Sequence, residues 1–491
     1  MQLVFDALAG AAALVALIIA YRRHKSAEFV AARNRVEAQL EHARLYHEPF
    51  AAAAAQIGDE TAAARLAGVR AMAGLADDWP EHRQACVDVL CAYLRTPCSP
   101  APVLDLSPGD RPRRDAAREV RDTVFGIITA HLRPSAEVSW RNLNLDFTGV
   151  VFDRGDFSGV GFSGGQVSFG GAKFPSGQVS FAGAEFSGGG VSFAGAELSG
   201  AEVSFAGAEF SGGQVEFRRA RFSGSEVGFR GARFSGGEIS FGRTQSGDVG
   251  AGLGYAGFSG SEFSGGDISF SDAEFAGSLV GFGGAEFSGA QVGFGGAEFS
   301  AGKVSFADAT FARGEISYRG ARFSGGEISF GFARFSGGQL SFNDAEFSGG
   351  RVDFRSARFS GTRVSFILSR FNGSQVGFRL AKFSGGEASF NGAKFTGGPV
   401  DFGNARFSGG LVDFFAAEFS GGLVGFDGAH FTSEVSFLLA KFSGGEVDFS
   451  KVADWSYRPQ FDGGGLQPSG VRLPGGSDAS ELCRGPSRAG A

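Results

Sequence analysis

The pattern of apolar and polar positions along the chain changes once, near Trp140. Before that point apolar residues recur at helical spacing, which predicts a small α-helical region over residues 26–139. Proline-rich residues 97–112 interrupt this region as a linker, and an amphipathic helix from about residue 113 to 132 follows. The N-terminal quarter of the chain is therefore predicted to be helical.

After Trp140 the spacing of phenylalanines follows a different rule. The first four, Phe147, Phe152, Phe157 and Phe162, are five residues apart. From Phe169 onward the steps between phenylalanines alternate between five and seven, so one step of each kind makes the repeating unit, V-x-F-x-x-A-x-F-S-G-G-x. Such spacing cannot form one stripe of a helix, and each repeated glycine would cost a helix about 1 kcal/mol. The pattern predicts short extended segments separated by turns.

The apolar pairs of each unit define an interior. Val and Phe, and likewise Ala and Phe, lie two residues apart, so in extended backbone both members of a pair point to the same side. Coils stacked about 4.8 Å apart would pair every backbone amide with the coils above and below. One repeating unit per coil would leave too small a cross-section for its side chains. We therefore predict two units, about 24 residues, per coil and about 13 coils, with the Gly-Gly corners bulging.

This pattern resembles the pentapeptide-repeat family, whose motif directs a small residue and a large apolar residue inward. The early five-residue spacing matches the family, as do the A-E-F-S-G pentads at 184–188, 208–212 and 285–289. The resemblance implies an all-β solenoid, a right-handed quadrilateral β-helix over residues 140–458. Residues 65–95 look like the helical module that precedes the repeats in many actinobacterial members. The two extra residues in alternate steps depart from the family motif.

Three places interrupt the regular repeat. Residues 242–263 carry more glycine and fewer apolar anchors, and form either a functional loop or a tolerated insertion. Within residues 431–437 one step between phenylalanines shortens from seven to six. Residues 459–491 are rich in Gly, Pro and Ser, and are predicted to be a disordered tail.

Residues 1–25 are predicted to be a membrane anchor. Residues 7–20 carry no charge, and the preceding apolar residues extend the stretch toward the roughly 20 residues that span a bilayer. Arg22, Arg23 and Lys25 follow the apolar stretch instead of preceding it, unlike in a secretory signal. The positive-inside rule then predicts a single-pass cell-membrane protein with its N-terminus outside and its bulk in the cytoplasm. The alternative is a helix buried in a core or against a partner.

Composition and charge limit the chemistry. The chain has 55 Phe and 81 Gly among 491 residues, and a net charge of −7, too small to favour bulk nucleic acid as a partner. Its four cysteines, Cys86, Cys91, Cys98 and Cys483, lack zinc-site spacing and are expected to be reduced thiols. Acidic residues recur by period without clustering, so we predict no catalytic, cofactor or metal site and no enzyme activity.

The one candidate site is formed by charged residues that directly precede the Phe of the Ala-Phe pairs. When two repeating units make one coil, Arg334, Arg358, Lys382 and Arg406 fall on one line. Residues 174–300 carry 14 acidic and 6 basic side chains, whereas residues 334–406 carry 10 basic and 5 acidic ones. The rod is thus predicted to be polarised along its length. Such ladders either keep the rod soluble or bind a partner.

The sequence thus predicts a non-enzymatic, membrane-tethered scaffold that presents charged ladders to a protein partner in the cytoplasm. No small-molecule substrate is expected, and the partner and the oligomeric state stay open. An alternative comes from the resemblance, because some pentapeptide-repeat proteins mimic duplex DNA and protect DNA gyrase or topoisomerase. The mixed charge and the apolar N-terminus make this alternative the weaker one.

Overall fold

A computed structural model describes residues 21–26, 28, 33, 45–96, 110–152, 154–199, 202–222, 226–241, 245–246, 255–462 and 468–475. The chain divides into two compact units. The helical unit comprises Met1–Tyr93 and Ala101–Val124, and the solenoid unit comprises Leu94–Pro100 and Phe125–Ala491.

Three helices account for most of the upstream region that the structure describes. Helix α1 spans Ala62–Asp78, α2 spans Arg83–Arg95 and α3 spans Asp110–Leu132, while residues 45–57 are also helical. Thr61 caps α1 by accepting a hydrogen bond from the amide of Ala64 at 3.3 Å. These helices confirm that the region is α-helical, as predicted. The linker residues 97–109 lie outside the described residues.

No helix in the described part of the chain is long and apolar enough to cross a bilayer. The predicted anchor segment, residues 7–20, lies outside that part. The anchor therefore stays a prediction.

The solenoid is built from four columns of short parallel strands, with columns 1 and 2 in one sheet and columns 3 and 4 in the other. Column 1 contains the Ala-Phe strands Gly161–Phe162, Glu185–Phe186, Glu209–Phe210, Arg233–Phe234, Glu262–Phe263, Glu286–Phe287, Thr310–Phe311, Arg334–Phe335 and His430–Phe431. Column 2 contains Leu145–Asp146, Gln166–Ser168, Gly190–Ser192, Gln214–Glu216, Glu238–Ser240, Asp267–Ser269, Gln291–Gly293, Glu315–Ser317, Gln339–Ser341, Val435–Phe437 and Gln460–Phe461.

Columns 3 and 4 repeat this arrangement in the second sheet. Column 3 contains Lys173–Phe174, Glu197–Leu198, Arg221–Phe222, Gln245–Ser246, Arg322–Phe323, Glu346–Phe347, Arg370–Asn372 and Lys441–Phe442. Column 4 contains Gly155–Asp156, Gln178–Ser180, Glu202–Ser204, Glu226–Gly228, Tyr255–Gly257, Glu327–Ser329, Arg351–Asp353, Gln375–Gly377, Glu446–Asp448 and Val471–Arg472. In seven places one strand runs through the corner between adjacent columns: Arg358–Ser365, Lys382–Ser389 and Arg406–Asp413 in the first sheet, and Glu274–Gly281, Glu298–Ser305, Lys394–Asp401 and Glu418–Gly425 in the second.

Strand pairing confirms the predicted coil length of ~24 residues. Glu185 pairs with Glu209, and Glu209 pairs with Arg233 in the next coil. The solenoid makes about 12 turns, close to the number predicted. The shortened step at residues 431–437 makes one coil a single residue shorter, since Val412 pairs with Val435.

Stacked aromatic rings fill the interior. Phe306, which is fully buried, lies 4.6 Å from Phe282 below it and 4.9 Å from Phe330 above it, measured between ring centroids. Both stacks are within 5° of parallel. At the first coil, the ring of Phe125 from α3 lies 5.3 Å from Phe152 and covers the end of the stack.

Two kinds of corner join the columns. At the tight corners a four-residue turn closes, as when the amide of Ala184 donates to the carbonyl of Phe181 at 3.1 Å, with Gly183 at φ +63°. At most wide corners Ser-Gly-Gly makes the turn, and the pairing register shifts there, for example between Phe383 and Ser384. The predicted Gly-Gly bulges are confirmed.

The C-terminal end of the solenoid differs from the one expected. Strand pairing continues past residue 458, where the repeat is predicted to end, because Phe461 pairs with Phe437 and Val471 with Val447. These residues keep the inward spacing although Gly and Pro surround them. Residues 476–491 of the predicted tail lie outside the described residues.

Candidate interaction surface

The four predicted site residues lie directly above one another in column 1. Arg334 pairs in register with Arg358, Arg358 with Lys382, and Lys382 with Arg406. Each precedes a buried Phe, so alternation along the strand turns each of these side chains outward, and all four are exposed. We call these four residues the basic ladder. Its alignment confirms the geometry, not the function, that the sequence predicts.

The basic ladder stacks like charges without neutralising them. Successive positions are one coil apart, about 4.8 Å, and like charges directly opposite each other in a sheet are destabilising. None of the four forms an ion pair with any residue that the structure describes. The ladder is therefore an electrostatic cost to the isolated rod.

The corresponding ladder in column 3 behaves differently. Arg322 lies 2.7 Å from Glu298, and Glu418 contacts both Lys394 at 3.2 Å and Lys441 at 3.8 Å. Opposite charges neutralise one another at these coils, although Glu274 and Glu298, and likewise Arg370 and Lys394, stack like charges. Runs of like charge in column 3 are thus two coils long, whereas the basic ladder stacks four cations in a row.

Two neighbouring lines of residues flank the basic ladder. On one side, hydroxyls donate to backbone carbonyls of the coil below, Ser360 to Phe335 at 3.2 Å and Thr432 to Phe407 at 3.0 Å. On the other side, the tight-corner residues Phe332 and Leu380 are 57% and 48% exposed. A groove of about 560 Å³ runs between the ladder and the hydroxyls, and a second groove of about 440 Å³ runs between the ladder and the tight-corner residues.

The first half of column 1 carries the opposite charge. Glu185, Glu209, Glu262 and Glu286 occupy the outward position there, and Arg233 is the one basic residue among them. Arg233 lies 3.0 Å from Glu209 and 3.7 Å from Glu262. We call these four glutamates the acidic ladder. Column 1 thus shows the predicted polarity along its length.

His430 continues the basic ladder and Asp454 follows it in the same line. His430 is half-buried. Hydrogen bonds from Ser456 hold the pKa of Asp454 below its usual value, and His430 contributes to the same shift.

No group of three His, Cys, Asp or Glu residues able to hold a metal ion occurs in the described parts of the chain. Cys86 and Cys91 are buried and are not joined in a disulfide bond, and the sulfur of Cys86 lies 3.6 Å from the hydroxyl of Tyr46. Burial raises the pKa of the Cys86 thiol. Cys98 and Cys483 lie outside the described residues.

The irregular segment adds five residues to one coil. Arg221 pairs with Gln245 at the regular coil length, whereas the partner of Glu226 is Tyr255, five positions later than that length would place it. The extra residues therefore fall between Ser246 and Tyr255, at a wide corner of the second sheet. Phe258 and Phe263, which belong to the segment in the sequence, are ordinary members of the aromatic stack.

The fold and its surface define the class of the protein as a β-solenoid with stacked aromatic ladders. No protein-family model matches the chain, and neither does any curated protein or solved structure with which it was compared.

Proposed function

We propose that the chain is a non-enzymatic scaffold, a pentapeptide-repeat rod tethered to a membrane by its N-terminal segment, whose basic ladder binds acidic protein surfaces in the cytoplasm. The observation that carries this proposal is the run of four unpaired, stacked cations in column 1. A partner that supplies carboxylates would relieve a repulsion that the rod otherwise bears.

The internal arrangement supports the family part of the proposal. In each Ala-Phe segment a small residue and a large residue, two positions apart, both point inward. Ala333 and Phe335 are one such pair, and both are buried. Four such segments make one coil, which fits a right-handed quadrilateral β-helix. The two extra residues per wide corner make this rod a variant in which Ser-Gly-Gly replaces a tight turn.

The DNA-mimic alternative receives less support from the charges. A mimic of duplex DNA needs acidic residues along its length to imitate two phosphate backbones. Here column 1 becomes basic from Arg334 onward, and acids and bases are mixed in column 3. We therefore favour a scaffold over a gyrase-protecting mimic.

The proposal is tested by changing Arg334, Arg358, Lys382 and Arg406 together to Gln and capturing partners from solubilised membranes. We expect the fold to be retained, because exposed charges contribute little to stability, and at least one partner of the wild type to be lost. The matched control changes Arg322, Arg351, Arg363 and Arg370 to Gln, which removes the same charge from the other columns. If both variants capture the same partners as the wild type, the basic ladder serves solubility alone.

A further inference from the structure

The charges of the two halves of column 1 become complementary when one half is turned end to end against the other. Counted coil by coil, six positions precede Thr310 and six follow it. The acidic ladder lies in the first six and the basic ladder in the last six. A two-fold axis at Thr310 would therefore place acidic positions of one rod against basic positions of another.

We propose that the partner of the basic ladder is a second copy of this chain, packed side by side and antiparallel so that column 1 faces column 1. This inference rests on the proposed function, since it names the partner for the same surface. With the axis at Thr310, Glu286 faces Arg334 of the other copy, Glu262 faces Arg358 and Glu209 faces Arg406.

The outer positions and the one mismatch are consistent with this pairing. Glu185 would face His430, and Asp454 would face the guanidinium of Arg141, which lies over Gly161 in the first coil. Arg233 would face Lys382, the one like-charge pair. Arg233 is held between Glu209 and Glu262 of its own chain, which reduces the repulsion. Parallel packing would instead place every charge against itself.

A second copy has an advantage that no unrelated partner is guaranteed to have. Both surfaces repeat at the same pitch of about 4.8 Å, so charges that meet at one coil meet at all of them. The lengthened coil does not disturb this register, because its extra residues fall between Ser246 and Tyr255 in the second sheet, away from column 1. In column 1 Arg233 still pairs directly with Glu262. An isologous contact of this kind closes as a dimer.

The tight corners beside column 1 show the same complementarity in shape. In the basic half, Phe332 and Leu380 protrude although their φ values are 61° and 62°, a left-handed conformation that is strained for such side chains. In the acidic half the equivalent corners are glycines, among them Gly284 and Gly231, with open space above them. In the antiparallel pair Phe332 would lie over Gly284, and Leu380 over Gly231.

The size and the charged character of the contact together predict a salt-sensitive dimer. Twelve coil steps of about 4.8 Å and a face about four residues wide give on the order of 750 Å² per partner, close to the standard size of a stable interface. Most of that area is polar. We expect its stability to depend on the charge pairs, and to weaken when salt screens them.

The test uses the full chain in mild detergent and sedimentation velocity. We expect a dimer at about 50 mM salt and an increase in its dissociation constant of at least about tenfold at about 500 mM. Changing Arg334, Arg358, Lys382 and Arg406 to Glu gives an acidic edge, and changing Glu185, Glu209, Glu262 and Glu286 to Lys gives a basic edge. Each variant alone should be monomeric, and an equimolar mixture should form a heterodimer.

Orientation is tested by cross-linking with a short bismaleimide, with the wild-type chain as the control for its own cysteines. Thr310→Cys should cross-link to itself, because both copies place it near the axis. Ser187→Cys should not, since antiparallel packing separates the two copies of this residue by about 48 Å, ten coil steps. A cross-link at Ser187 without one at Thr310 would overturn the antiparallel arrangement.

The experiments can refute the self-association and the scaffold function independently of each other. A wild-type chain that stays monomeric at low salt overturns the self-association, and so does a mixture of the two edge variants that stays monomeric. In either case, loss of another captured protein on changing the basic ladder to Gln would leave the scaffold proposal standing.

Discussion

Single residues in the aromatic stack show how closely the interior is specified. Tyr318 occupies a position that Phe holds in the coils above and below, with ring centroids 4.8 Å from Phe342 and 4.6 Å from Phe294. Its hydroxyl is buried and makes no hydrogen bond to any described residue. Burial raises the pKa of Tyr318 well above its ordinary value.

Tyr318→Phe should therefore stabilise the rod. Removing a buried hydroxyl that lacks a partner should raise the free energy of unfolding by about 1–2 kcal/mol, which denaturant melts at neutral pH would measure. The unfolded chain loses this proton near pH 10 while the folded chain keeps it, so wild-type stability falls further above that pH. The advantage of the variant should grow between pH 9 and 11 by roughly 1 kcal/mol. An unchanged or negative difference would mean that the hydroxyl has a partner.

The corners are the elements in which glycine has two distinct uses. At the tight corners glycine is convenient, because other coils place Asp308, Ser356 or Asn404 there at φ of 55–59°. At most wide corners glycine has a second use, since the backbones of successive coils touch, although Ala290 and Thr362 occupy the equivalent position in two coils without a positive φ. A Cβ added to Gly338 would meet the carbonyl oxygen of Gly314 at 2.4 Å, whereas one added to Gly320 would meet nothing within 4 Å.

Gly338→Ala and Gly320→Ala form a matched pair that separates these uses. Both place alanine at positive φ, 76° and 66° respectively, at a cost of about 1 kcal/mol. Gly338→Ala must in addition push two coils apart, and we expect a total loss of about 3 kcal/mol or more. Equal losses in chemical denaturation would show that stacking at the wide corner has room to adjust.

At the scale of the whole molecule, the sequence predicted most of the fold and little of its surface behaviour. The coil length and the wide-corner bulges followed from the steps of five and seven, because each Phe must point inward. The last strands, such as Val471–Arg472, were missed since too few anchors remain to show a period. The alignment of Arg334 with Arg406 was predictable from the period, but their lack of ion pairs required the positions of all neighbouring charges.

The predicted membrane tether is also a property of the whole molecule. Deleting residues 1–25 should release the chain from membranes into the soluble fraction and leave the β-rich circular dichroism spectrum unchanged, because the solenoid is a separate compact unit with its own core. Centrifugation at high salt measures the release. A truncated chain that still pellets with membranes would place the anchor elsewhere.

The repeat in the sequence is half as long as the repeat in the structure, and this has a genetic consequence. Loss or duplication of two repeating units would shorten or lengthen the rod and leave every downstream residue in its column. Loss of one unit would preserve the inward pattern equally well, yet transfer all downstream side chains from one sheet to the other. Unequal recombination among these near-identical units could thus move a charged edge to the opposite side of the protein in one event, with the interior unaltered.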